Sequence, residues 1–320
     1  MTRTARVRER GAALLAAMLT VTLVATFAAT AMWQQWRAIE VETAERARIQ
    51  SAWILSGALD WSRLILIEDA RAGGADHLSE PWAVPLEEAR LSTFLAADRN
   101  VAQQEDASTD IQEAFLSGRI IDLQSRLNLA NLVNGSTVVE AALAQFTRLF
   151  SQLGLPPQEL ATLVQGLRQA QEPAGGNAQV PLMPRTVAQL AWLGLQPGTA
   201  GLLAPHVILL PERTPVNINT AGVEVLMAAI EGLDMAGANK LVGVRQLQAL
   251  RSLDDAQKLL GTQVRLTADL HNVQSSYFEV HGRLRLGEMA VHERSVVRRQ
   301  GMEAFTVWRE RGAAQPVGMP

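Results

Sequence analysis

One uninterrupted apolar run constrains this chain more than anything else in it. Ala12 to Met32 supplies 21 residues without a charge. At about 1.5 Å per residue that makes ~30 Å of helix, the thickness of a bilayer core. Arg3, Arg6, Arg8 and Arg10 stand before it. They hold the N-terminus on the cytoplasmic side and send everything after Trp33 across the membrane. Trp33 and Trp36 fall at the far interface, a favourable depth for amphipathic rings. Three fates of this segment compete. It is a secretory signal cut at Ala29-Thr30-Ala31, a plain anchor, or a helix kept after its basic leader is clipped at Gly11. The apolar part of a signal peptide usually spans about 7–15 residues, and here helix-forming sequence runs on past Trp36.

From Gln34 to Arg71 apolar residues recur at helical spacing (Ile39, Ala47, Ile54, Ala58, Trp61, Ile65) among charged ones, which predicts one long helix stopped by Gly73-Gly74. Ala75 to Gln112 reads as loop-rich, with a short helix near Leu86–Ala97. Alternation after Gly118 predicts a strand, and Asn128, Asn131 and Asn134-Gly135 mark turns. Short helices separated by proline and glycine then follow. Ser136 is placed to cap a helix through Leu153, Pro156-Pro157 opens another, and Thr186–Leu193 is a third. Ser252 with Asp255 begins a fourth that Gly261 closes. Ser275–Leu286, Ala290–Arg298 and Met302–Trp308 alternate as three antiparallel strands. The expected class is α+β: a long N-terminal helix packed on a small antiparallel sheet, with a large all-α insertion. The expected segments are 1–11 leader, 12–32 membrane helix, 33–135 helix and first strand region, 136–270 helical insertion, 271–312 C-terminal strands and 313–320 tail.

Composition and motif searches narrow the function. The chain has 320 residues, a net charge of −3 and no cysteine, which removes thiol catalysis and thiolate metal sites. The five histidines (His77, His206, His271, His281, His292) form no HExxH pair, and no G-x-S-x-G, P-loop or G-x-G-x-x-G occurs. His281 and His292 lie on predicted strands among arginines, where a structural role is expected. No catalytic role is assigned to any residue. Trp82, beside Pro81 in a loop, is the one tryptophan suspected of touching a partner.

Pro215 to Arg245 reads as helix, tight hairpin, helix. Asn217, Asn219 and Thr220 lead in, with Asn219 or Thr220 as N-cap, and Gly232-Leu233-Asp234 makes the turn. This resembles the helix-hairpin-helix family, whose glycine hairpin offers backbone N–H groups to a DNA phosphate. Asp234 would repel phosphate. Between Pro215 and Arg251 the bases Lys240, Arg245 and Arg251 are matched by Glu224, Glu231 and Asp234, so few counterions would be released. No nucleic-acid partner is expected; a membrane-anchored DNA-binding or uptake protein stands as the alternative reading.

With Arg10-Gly11-Ala12-Ala13-Leu14-Leu15, Ile121 to Leu132 (IDLQSRLNLANL), Val216 to Ala221 (VNINTA) and Ser276-Tyr277-Phe278 in this order, the chain resembles protein K of the type II secretion system, a minor pseudopilin. A glycine between a basic leader and a long apolar helix is the layout of the type IV pilin class. The resemblance implies cleavage by prepilin peptidase between Gly11 and Ala12, methylation of the Ala12 amine, and assembly on an inner-membrane platform. It implies I-type, J-type and H-type minor pseudopilins as partners, at a filament tip that the wide helical insertion would crown. The mature helix would carry Ala16 at the fifth position, where pilins typically carry glutamate. A carboxylate in a membrane helix costs roughly 2.5–3.5 kcal/mol, which a neighbour's amine offsets along a shaft; a tip subunit has no neighbour ahead. The family also admits calcium in its periplasmic part. Asp254-Asp255 and Asp106 with Asp110 are the oxygen-rich pairs, each read as solvated surface.

Overall fold

The computed structural model describes residues 9–93, 114–135, 137–171, 181–287 and 289–313. The chain divides into two compact units, one up to Ile54 and one from Leu55 onward.

Helix α1 spans Glu9–Ala72. In its first unit the run from Leu14 to Trp36 has every large apolar side chain exposed, from Leu23 at 52% to Met32 at 72%. It is the one helix among the described residues long and apolar enough to cross a membrane. Thr20, Thr22, Thr26 and Thr30 turn their hydroxyls back onto carbonyls three or four residues earlier, at 2.8–3.0 Å. The threonine hydroxyl hydrogens are then satisfied within the helix, as a hydrocarbon surrounding requires.

The second unit contains a five-stranded antiparallel sheet: β1 Leu86–Arg90, β2 Ala114–Asp122, β3 Tyr277–Leu286, β4 Met289–Gln300 and β5 Glu303–Ala313, in spatial order β1-β2-β3-β4-β5. Alternation makes the sheet two-faced. Phe278, Val280, Val297 and Ala304 face Leu59 and Leu66 of α1, and Trp82 closes this core edge-on against Phe278, ring centroids 5.2 Å apart. Gly118 and Gly282 stand opposite one another where β2 meets β3. A Cβ on Gly118 would lie 2.7 Å from the His281 carbonyl oxygen, so the close approach needs glycine there.

Between β2 and β3 come α2 Glu140–Gln152, α3 Pro157–Gln171, α4 Pro197–Leu203, α5 Val223–Ala229, α6 Met235–Leu247 and α7 Leu253–Leu260. They surround their own core, with Phe146, Leu149, Leu163, Leu167, Leu190 and Leu226 at its centre.

Several expectations change. Leu86–Arg90 is a strand, not a helix; its Leu-Glu-Glu-Ala-Arg composition favours helix, but pairing with β2 overrides propensity. The rest of the expected helix, to Ala97, lies mostly outside the described residues. Strand β2 begins at Ala114, before Gly118. Helix α2 starts at Glu140 after Val139, with no side-chain cap; Ser136 lies outside the described residues. The insertion is not purely helical, because Leu127–Asn128 pairs with Val207–Ile208 and Val216–Asn217 with His271–Asn272, both parallel. Its core also starts earlier than the change of texture at 136, since Leu127, Leu129, Leu132 and Val133 are buried in it. His281 and His292 stack at 5.6 Å on β3 and β4, with His281 beside Glu279.

Candidate functional site: an apolar helix and a buried polar junction

Two features are candidates for a functional role, one in each unit. In the first, Gly11 lies within α1, and Ala12 and Ala16 are exposed on it in the apolar stretch. The helix presents a small-residue end, Gly11-Ala12-Ala13, followed by aliphatic surface.

The second feature is a polar junction inside the second unit, built where chain segments far apart in sequence meet. Asp122 ends β2 with Ile120 and Ile121 before it, and turns the chain by accepting the Gln124 N–H at 2.8 Å. Its other oxygen accepts three more donors: the Thr220 hydroxyl at 2.5 Å, the Ser275 hydroxyl at 2.6 Å and the Asn217 amide at 3.0 Å. Burial raises the Asp122 pKa, while the donors from Ser275, Thr220, Gln124 and Asn217 oppose that rise. Gln124 donates to the Pro215 carbonyl and accepts from the Ser276 N–H. Asn128 opens the turn Leu129–Leu132 as expected, accepting the Ala130 N–H at 3.1 Å, but it and Asn131 are buried and reach further. Asn128 donates to the Glu212 carbonyl and the Thr214 hydroxyl, and Asn131 exchanges two bonds with the Thr214 backbone. A buried amide satisfied on both sides holds two backbones in one register.

The Asn217–Thr220 segment therefore acts differently from the hairpin expectation. Asn219 does not cap α5; it clasps the Leu250 backbone, donating at 2.9 Å and accepting at 3.0 Å. Thr220 donates to Asp122, and the N-cap is Gly222, without a side-chain bond. The hairpin turn is also closed to a phosphate. Gly232 has φ 80°, and a Cβ there would sit 2.4 Å from the Gln263 carbonyl oxygen. Backbone pairing of Glu231 with Arg265 covers the same turn. Asp234 accepts the Gly237 N–H as the cap of α6. Arg245 is buried and spends its guanidinium on the Ile218 and Ala221 carbonyls at 2.6 Å, with burial lowering its pKa to about 10. Lys240 donates to the Leu259 carbonyl.

Trp82 is no partner-facing residue: it is 1% exposed and donates to Glu80 at 2.7 Å. Asp254 and Asp255 lie in the first turn of α7, whereas Asp106 and Asp110 fall outside the described residues. The carboxylates that do come together are Asp69, Asp76 and Glu80, whose oxygens lie within 4.8 Å of one another. They do not suit calcium, which asks for about six to eight free oxygen ligands. Arg299 donates to Asp69 at 2.6 Å and to both Asp76 oxygens, while Glu80 accepts from the His77 N–H and Trp82. The cation in this cluster is a guanidinium.

Comparisons with known proteins cover the helical block and the part of this junction that carries Asn128, Asn131, Asn217 and Thr220. A family model described as type II secretion system (T2SS), protein K matches residues 216–274. A second model of the same description matches residues 125–212. The two family models agree in supporting the type II secretion protein K family. Type II secretion system protein K of Pseudomonas aeruginosa is 28% identical over 310 residues, covering 88% of this chain and 86% of that one. Its counterpart in Pectobacterium carotovorum subsp. carotovorum is 25% identical over 346 residues, with 98% and 99% covered. Among solved structures, a chain of the GspK-GspI-GspJ complex from enterotoxigenic Escherichia coli superposes with a TM-score of 0.62 at 18% identity, covering 85% of this chain and 99% of that chain. That likeness shows a shared α+β fold. Together these likenesses support a type II secretion minor pseudopilin.

Asp76 and Arg299 were not singled out in the sequence, and Asp122 and Ser275 stood inside a quoted motif and a predicted strand without a role. Asp122 alone left a signal there, a single charge inside the apolar string Ile120-Ile121-Asp122-Leu123. Arg299, one arginine of many on an alternating strand, left none.

Proposed function

We propose that this chain is the tip subunit of the type II pseudopilus, starting filament assembly and supporting export of folded proteins across the outer membrane. Prepilin peptidase cuts between Gly11 and Ala12, the Ala12 amine is methylated, and the apolar part of α1 stays in the inner membrane. The N-terminus then begins cytoplasmic, and the bulk of the chain is periplasmic. Its partners are I-type, J-type and H-type minor pseudopilins on the inner-membrane assembly platform, and it is not an enzyme. The solved complex of the E. coli GspK with GspI and GspJ supports this choice of partners.

The observation that carries the reading is Ala16. A subunit with another ahead of it gains from an acid at that place; this helix instead shows an unbroken uncharged surface from Ala12 to Trp36. The deciding experiment is the N-terminal mass of the protein extracted from membranes. A start at methylated Ala12 is expected, and a start at Met32 or Met1 overturns the reading. The DNA-uptake alternative loses its basis in the covered hairpin turn and in Arg245, whose charge is spent internally.

A further inference from the structure

Asp69 lies in the last turns of α1, Asp76 follows Gly73 and Gly74, and Ser275 precedes β3. Arg299, near the end of β4, reaches all three. One guanidinium nitrogen donates to Asp69 at 2.6 Å; the other donates to the two Asp76 oxygens at 2.5 and 2.6 Å and to the Ser275 carbonyl at 2.9 Å. The Arg299 side chain is 10% exposed, Asp69 12% and Asp76 4%. Its guanidinium carbon lies 4.9 Å from the centre of the Phe278 ring. Burial works against its charge, but Asp76 and Asp69 outweigh this and raise its pKa. Asp76 also accepts the Ser275 N–H, and Asn217 donates to the Asp76 carbonyl. The arginine is thus joined through shared partners to the Asp122 junction.

We propose that Arg299 is the resident cation of this carboxylate cluster: it does the work a divalent ion would do, and the chain holds the end of α1, the sheet and the helical block together without metal. The physical argument is one of occupancy. Buried carboxylates need a counter-charge, and a planar fork of N–H donors meets three carboxylate oxygens and a carbonyl at once. A calcium ion in the same space would have to expel the guanidinium and abandon it inside a low-dielectric wall, next to Phe278. With the guanidinium gone, Asp69, Asp76, Glu80 and the Ser275 carbonyl offer oxygen donors, the kind a hard cation prefers. Arg299→Gln should therefore turn a metal-indifferent cluster into one that takes up calcium.

The full chain in detergent allows the test. The melting temperature of the wild type should be the same in EDTA and in calcium. Arg299→Gln in EDTA should melt roughly 6–20 °C lower, and calcium should restore a large part of that loss. Terbium supplies a second readout that needs no melting curve, since Trp82 beside Glu80 is placed to sensitise its luminescence. Wild type should give no calcium-displaceable signal that Asp76→Asn removes, and Arg299→Gln should give one. If wild type binds terbium or calcium through Asp76, or if Arg299→Gln is indifferent to calcium, the proposal is wrong. Should Arg299→Gln fail to fold, the wild-type terbium and EDTA measurements still decide.

Discussion

The apolar stretch of α1 and the Asp122 junction are opposite solutions to the same problem, the placement of polar groups away from water. In the helix each backbone group is satisfied by its own neighbours, and four threonine hydroxyls fold back onto the same helix. Satisfaction there is local, so composition over 21 residues is enough to read it. In the junction Asp122 depends on Thr220, which is 98 residues away, and on Ser275, 153 away. Its polar groups are satisfied only once the whole second unit has folded. The first region can therefore be altered with little consequence for folding, while the second can hardly be altered without it.

The largest expected effect breaks the helix side of this contrast. Replacing Gly11 should abolish maturation and secretion while membrane insertion continues; an unprocessed protein that still supports secretion would contradict it. On the junction side, Asp122→Ala strands four buried donors, each worth about 1–3 kcal/mol when left unmade. A loss of roughly 3–5 kcal/mol is expected in denaturant unfolding, with N-terminal processing unchanged, and Asp122→Asn should lose less. Gly232→Ala comes next. A Cβ meeting the Gln263 carbonyl at φ 80° should cost about 1–3 kcal/mol, measurable as a shifted urea midpoint; a neutral result would mean the turn is looser than its packing implies.

The smallest effect is one of pH. His271 is 2% exposed, accepts the Thr267 N–H at 3.0 Å and lies 3.2 Å from the Ala229 carbonyl. Burial lowers its pKa below the ordinary histidine value, so the folded chain binds fewer protons there than the unfolded chain. The stability it contributes is present above about pH 6.5 and is lost as pH falls through the lowered folded value. Denaturation midpoints should decline on acidification across that window, and His271→Asn should flatten the slope.

Much of the architecture was legible in the sequence because it rests on periodicity and punctuation. The end of α1 at Gly73, the cap of α7 at Ser252 and the three C-terminal strands all follow from neighbours in the chain. Leu86–Arg90 was not legible, since its local composition says helix and only β2 makes it a strand. The candidate site was half legible. Gly11, Ala12 and Ala16 stand in a linear pattern. Asn128, Asn131, Asn217, Asn219 and Thr220 were noticed as motifs, yet their roles belong to contacts across more than thirty residues and often across eighty or more. Asn and Thr favour turns and caps for local reasons, and that local prior hid their use as internal fasteners. A helical hairpin with glycine at its turn likewise looks the same whether the turn faces solvent or, as here, Gln263.

The four threonines that keep their hydroxyls to themselves bear on how this subunit can move. A rod whose exterior is hydrocarbon all round offers a neighbouring rod no latch to unfasten. Its grip on adjacent rods rests on shape and dispersion alone. Sliding by a turn exchanges one set of weak touches for an equivalent set, with nothing on the flank to snag.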